Sequence, residues 1–110
     1  MISYEDFIKV DIRIGQIVNV EEFPTARKPA LKLFIDFGAQ IGIKKTSAQI
    51  TNLYSKENLI GKQVLAVVNF PPKQVGSFMS EVLVLGLSNE SNAIVLVGPD
   101  QKVPNGEKLH

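Results

Sequence analysis

The sequence predicts an all-β protein: a small closed Greek-key barrel of five strands with short helical segments. Three observations carry this. Several runs alternate apolar and polar residues with period two, the mark of half-buried strands, and Leu31 to Phe37 is the cleanest of them. The chain order is three strands, a short helical piece, a fourth strand, a long connection and then more strand. Gly15 falls where the first alternation stumbles, and small barrels need a bulge or sharp bend of that kind to close.

Each element follows from its residues. Ser3 precedes Tyr4-Glu5-Asp6 and can cap a short helix, with Asp6 three residues on, near the positive end of the dipole. Phe7, Ile8 and Val10 give that helix an apolar side. Strand one covers residues 10 to 20, with Val10, Ile12, Ile14, Val18 and Val20 on the core-facing parity and Gln16-Ile17 out of phase. The prolines of residues 24 to 30 make a loop. In strand two Leu31, Leu33, Ile35 and Phe37 alternate with Lys32, Phe34 and Asp36, and Gly38 ends it. Strand three covers residues 42 to 48. Ile50, Leu53 and Tyr54, then Lys56, Leu59 and Ile60, fall at helical spacing and predict one or two short turns ended by Gly61. Strand four runs from Gln63 to Phe70. The runs V-L-V-L-G-L and A-I-V-L-V are parted by the turn composition S-N-E-S-N, and a turn-rich tail closes the chain. A Greek-key barrel with a helix between strands three and four is the oligonucleotide/oligosaccharide-binding (OB) architecture. An SH3-like barrel is the rival, and the helical interruption favours the OB reading.

The 110 residues predict a single domain, 1–110, large enough for a core without staples. With no cysteine there is no disulfide frame, thiolate metal site or cysteine nucleophile, which fits a reducing cytoplasm. The first residues lack the basic flank and apolar stretch of a signal peptide, and no apolar run could span a bilayer as a helix. The expectation is a cytoplasmic protein without membrane insertion. Net charge is only +1, but its distribution is uneven. From Arg27 to Lys73 there are eight cations and two acids; the rest holds four cations and nine acids. A basic middle points to a polyanion-facing side.

Catalysis lacks its parts. The sole histidine is His110, at the very end, so Ser47, Ser77 and Ser80 have no base in the domain proper. Glu21-Glu22 are neighbours on a strand and face opposite ways, so they make no carboxylate dyad. No glycine-rich phosphate loop occurs. No enzyme, no cofactor and no metal are expected; the sequence reads as a binder.

The connection N-F-P-P-K-Q-V-G-S-F-M-S-E (69 to 81) is too long for a tight hairpin loop and richer in apolar residues than a solvent loop. Pro71-Pro72 holds it extended, and Gly76 permits close approach or a positive φ. Lys73 offers a cation. Phe78 could stack on a base or fill an apolar pocket, or else plug the barrel mouth with Met79. Ser80 and Glu81 could hydrogen-bond a base edge.

Asn-Phe-Pro-Pro-Lys followed by Gly and then Ser-Glu resembles the signature loop of the tRNA-binding-domain family, OB modules appended to some aminoacyl-tRNA synthetases and also found alone. D-I-R-I-G (11 to 15) and A-L-K-L-F-I-D-F-G (30 to 38) are similar to it too. G-I-K-K-T-S-A-Q-I-T (42 to 51), the loop itself and P-D-Q-K-V-P-N-G resemble the family's stand-alone, secretion-related chaperone branch. The resemblance implies an OB barrel, no catalysis, and a homodimer built with the terminal extensions. It implies tRNA contacts at Asn69, Lys73, Ser80 and Glu81, with Arg27, Lys28, Lys32, Lys44 and Lys45 as the basic surroundings. One departure stands out: the loop has a single lysine, and Glu81-Val82 follow Ser80 where tRNA binders carry glycine and methionine. Fewer cations release fewer counterions and weaken tRNA binding. The chaperone branch implies unfolded polypeptides or preproteins as partners. Phe23, Phe34, Phe70, Phe78 and Met79 are the candidate peptide-binding residues, rimmed by Arg27, Lys28, Lys44 and Lys45. Phe34 lies on the parity opposite Leu33 and Ile35, so it should face outward or into a dimer interface.

Overall fold

The computed structural model describes residues 1–110. Helix α1 (Tyr4–Ile8) starts where the capping residues place it. Ser3 Oγ accepts the Asp6 amide at 3.3 Å and the Asp6 carboxylate accepts the Ser3 amide at 3.0 Å. The bonds from the Ser3 backbone and then its hydroxyl hold the Asp6 carboxyl below its ordinary pKa. The chain continues as β1 (Ile12–Glu22), β2 (Leu31–Asp36), the single turn α2 (Gly38–Ile41), β3 (Ile43–Ala48), α3 (Lys56–Leu59) and β4 (Gln63–Val67). Then come β5 (Lys73–Val75), β6 (Phe78–Ser80), β7 (Leu83–Val84), β8 (Gly86–Ser88) and β9 (Ile94–Leu96).

Five strands form one antiparallel sheet in the order β3-β2-β1-β4-β7, curled until its two edges meet. This is the OB fold. The long β1 makes the curl. Ile12 to Gln16 pair with β4, while Gln16 to Glu22 pair with β2. The core inside holds Ile17, Val20, Leu33, Ile35, Phe37 and Val64, with Leu59 of α3 closing one end. Burying one such side chain contributes about 1.5–3 kcal/mol. β2 alternates as its sequence predicts, and Gly38 follows it at φ +88°. The helical turn before Gly61 and the 88–92 turn also stand where expected; Asn92 takes φ 62° there.

Four expectations need correction. The register shift in β1 falls between Ile17 and Asn19, not at Gly15. Gly15 is required by packing: a Cβ there would lie 2.6 Å from Phe37 Cε1 and closer still to Ile35. Consequently Gly15, Ile17 and Val20 face the core, Val18 is exposed, and Ile14 is buried for another reason. The C-terminal segment covers it, with the Gly106 amide donating to Ile14 O at 2.7 Å and the Ile14 amide to Glu107 O at 3.0 Å. Second, β4 stops at Val67, short of Phe70. Third, the 69–81 connection is itself a small hairpin: β5 and β6 pair across Gly76-Ser77, with Gly76 at φ +60°. Fourth, α2 was not foreseen.

The tail is pinned by Arg13, whose Nη1 donates to Gly106 O at 3.0 Å while Nε donates to Asp11 Oδ1 at 2.6 Å. The Asp11 hydrogen bond raises the Arg13 pKa further above its already high value. No helix is long and apolar enough to cross a membrane.

Candidate ligand surface

The outward parity of β2 and β3 presents Lys32, Phe34, Lys45 and Ser47. Phe34 lies directly opposite Lys45, and Lys32 opposite Ser47. On the other flank β1 sets Asn19 beside Phe34 and Glu21 beside Lys32. Phe34 is half-buried on this outer face, as its parity predicted. Two loops border the face: residues 23–30, between β1 and β2, and the β5–β6 hairpin. In OB folds this is the ligand side.

An aromatic pair joins the two loops. Phe23 and Phe78 meet with ring centroids 5.6 Å apart, and Ala26, Ala30 and Val75 pack around them. Lys32 Nζ stands 4.8 Å from the Phe23 centroid and 5.1 Å from that of Phe78; Lys45 Nζ stands 5.1 Å from Phe78. Each cation–π contact contributes about 0.5–2 kcal/mol. The chain's two ion pairs, Lys9–Asp6 and Arg13–Asp11, lie elsewhere, and neither Lys32 nor Lys45 is ion-paired.

The exposure expected of Phe23 is therefore corrected, and Phe78, for which a ligand-contact and a plugging role were both open, is covered as well. They are 4% and 8% exposed, because each covers the other where two loops cross. Phe70 and Met79 are open, at 50% and 39%. Arg27, Lys28 and Lys73 are exposed on the bordering loops. Lys44 shares the parity of Thr46 and stands opposite the buried Ile35, so Lys44 and Lys45 point to different sides of β3.

Three of the four signature positions spend their side chains on the fold. Asn69 Oδ1 accepts the Asp11 amide at 3.0 Å, and Asn69 Nδ2 donates to Lys9 O at 2.8 Å. Ser80 Oγ accepts the Ser47 amide at 2.9 Å. Glu81 accepts the Lys45 amide at 3.0 Å through Oε1, while its own amide donates to Lys45 O at 2.8 Å. Thr46, 2% exposed, donates to Val82 O at 2.8 Å. Together these bonds close the barrel between β3 and the last third of the 69–82 segment. Sequence reasoning missed Thr46 and Ser47 as partners in this seam. A hydroxyl pair on a strand next to Lys45 was the available signal.

The surface offers cations, the half-buried Phe34 ring and hydroxyls already engaged in the seam. No group of three His, Asp or Glu side chains could hold a metal. His110 lies at the far end, where it lines a groove of about 450 Å³ with Tyr4, Phe7, Ile8 and Leu109.

Comparison with known proteins agrees with this geometry. Residues 12–108 match the family model described as "Putative tRNA binding domain". The crystal structure of the chaperone CsaA from Bacillus anthracis str. Ames is 53% identical, covers 100% of this chain and 99% of its own, and superposes with a TM-score of 0.93. The CsaA chaperone protein from Picrophilus torridus is also 53% identical, covers 100% of both chains and has a TM-score of 0.93. Methionine–tRNA ligase of Flavobacterium johnsoniae is 37% identical over 110 residues, 100% of this chain but 15% of that protein. The chain thus spans about 15% of the length of that curated relative.

Proposed function

The chain belongs to the tRNA-binding-domain family as a CsaA-like protein, and from that premise we propose that it is a non-enzymatic chaperone holding unfolded or export-bound polypeptides. One observation carries the proposal: the outer β2–β3 face sets the half-buried Phe34 ring among Lys32 and Lys45, neither of them ion-paired, with Met79 exposed on the neighbouring β5–β6 hairpin. An unfolded segment offers apolar side chains and scattered acids, which such a face complements. Its seat of action is the cytoplasm, and the 110 residues act as one domain.

The protein works as a homodimer. Leu83, Leu87 and Val95 are exposed on the outer face of the last strands, Leu87 directly opposite Val95. The groove between α1 and the C-terminal residues adds Tyr4, Phe7 and Leu109. This apolar region is distinct from the basic face, so two copies can join there and leave both ligand faces free. Two linked faces then hold one extended chain with avidity.

The second reading is tRNA binding in trans on translation, favoured by the family match and by the cations Arg27, Lys28, Lys32, Lys45 and Lys73. Fluorescence anisotropy separates the two. The chaperone reading expects binding of a permanently unfolded polypeptide, and tRNA binding that is weak and only mildly salt-dependent. Dissociation constants for tRNA near or below roughly 1 μM that rise steeply with salt reverse the order, because a steep slope counts several phosphate contacts.

A further inference from the structure

Phe23 and Phe78 form a cluster apart from the main core, under two lysines and next to the barrel's closing seam. We propose that this cluster is a concealed binding site for the apolar side chains of an unfolded polypeptide, opened when the β5–β6 hairpin swings away from β3 on a latch made by Ser80 and Glu81. The proposal rests on the polypeptide reading above.

The segment that would move is bounded by two anchors. Asn69 is tied through both amide atoms to the α1–β1 junction. Val82 packs in the main core, and its carbonyl is held by Thr46. Between the anchors a single backbone–backbone bond joins the segment to the barrel, from the Glu81 amide to Lys45 O. The other hydrogen bonds run from the Lys45 and Ser47 amides to the Glu81 and Ser80 side chains and between the Ser47 and Ser80 hydroxyls. By contrast β2–β3 is an unbroken six-residue ladder, and β1–β2 is a long ladder interrupted by a single register shift. Because the hairpin is a separate two-stranded unit and its aromatic cluster is separate from the main core, it can part from β3 while that core stays intact.

The chemistry of what is uncovered selects the ligand. The rings and the side chains of Ala26, Ala30 and Val75 offer no hydrogen bond to a base edge, so they suit aliphatic and aromatic side chains. Lys32 and Lys45 stay at the rim to meet acids of the same segment. The closed state hides apolar surface that would otherwise promote self-association.

The chain has no cysteine, so Ser47→Cys with Ser80→Cys creates a single bridge where the two hydroxyl oxygens lie 3.2 Å apart. Binding to reduced, carboxymethylated α-lactalbumin is measured by anisotropy. The oxidised variant is expected to bind the unfolded chain at least about tenfold more weakly than the reduced one, since the competent state is withdrawn, and dithiothreitol is expected to restore it. Equal binding of the unfolded chain by both forms overturns the proposal. Amide exchange on the native protein tests the latch alone. The Lys45, Ser47 and Glu81 amides are expected to exchange at least roughly tenfold faster than the β1–β2 ladder, and exchange as slow as that ladder overturns the latch. If the native protein binds no unfolded polypeptide while those amides exchange fast, the polypeptide reading fails and the ligand proposed for this site falls with it.

Discussion

Gly15→Ala tests whether this glycine serves packing. The added methyl would sit 2.6 Å from Phe37 Cε1 and 2.8 Å from Phe37 Cδ1, with Ile35 Cγ2 nearer still. Neither neighbour can retreat. Ile35 and Phe37 are fully enclosed, and Phe37 is followed by a glycine locked at positive φ. Overpacking of this kind costs about 1–3 kcal/mol. Replacing glycine also stiffens the unfolded chain, which offsets about 0.4–1 kcal/mol. A net loss of about 1.3 kcal/mol lowers Tm by roughly 5–10 °C in a domain of this size. Thermal unfolding followed by circular dichroism, with a urea titration alongside, measures it. Adding Phe37→Leu removes the crowding carbon, so the two changes together should cost less than their sum. A Gly15→Ala protein with an unchanged Tm, or a double variant whose losses simply add, would refute the packing argument.

Thr46→Val keeps the shape but removes the donor to Val82 O, so urea unfolding should show a loss of about 1–3 kcal/mol, while Thr46→Ser retains the bond. Lys45→Ala should lower the salt slope of tRNA binding by roughly one contact while Lys44→Ala leaves it nearly unchanged, as the two point to different sides of β3. Asn69→Ala leaves the Asp11 amide and Lys9 carbonyl without their partner, so proteolysis should cut near α1 sooner than in the native chain. Acid should fray α1. The folded Asp6 carboxyl has a depressed pKa, so its contribution is complete above its unfolded pKa of about 4 and is lost as pH falls through the folded one. An NMR pH titration of the Phe7 amide reads this, and Asp6→Asn, which keeps an acceptor for the Ser3 amide, should abolish the pH dependence.

Much of the barrel was legible because β2 buries one parity and exposes the other, leaving an unambiguous period. The Ser3 cap, the helical turn before Gly61 and the Asn92 turn were legible because each depends on local chemistry. β1 was not, since both its faces are covered, one by the core and one by the C-terminal segment. Ile14 and Ile17 are both buried though they face opposite ways. The site was legible in composition but not in role. Its basic and aromatic residues were identified, yet Phe23 and Phe78 cover one another through a contact 55 positions apart in sequence, counting from 23 to 78. Likewise Ser80 and Glu81 look like polar loop residues until β3 is known to lie beside them.

The C-terminal segment lies along the start of β1: Leu109 donates its amide to Ile12 O at 2.8 Å, and Arg13 bridges to Lys108. Both ends of the chain therefore emerge on one side of the barrel, beside α1. A circular permutant that joins the ends through a short linker and opens at the exposed 89–92 turn would keep every strand pairing. A fusion partner at either end would sit beside the barrel's terminal groove and leave the basic face clear. That geometry lets such a barrel be carried as a small part of a much longer polypeptide.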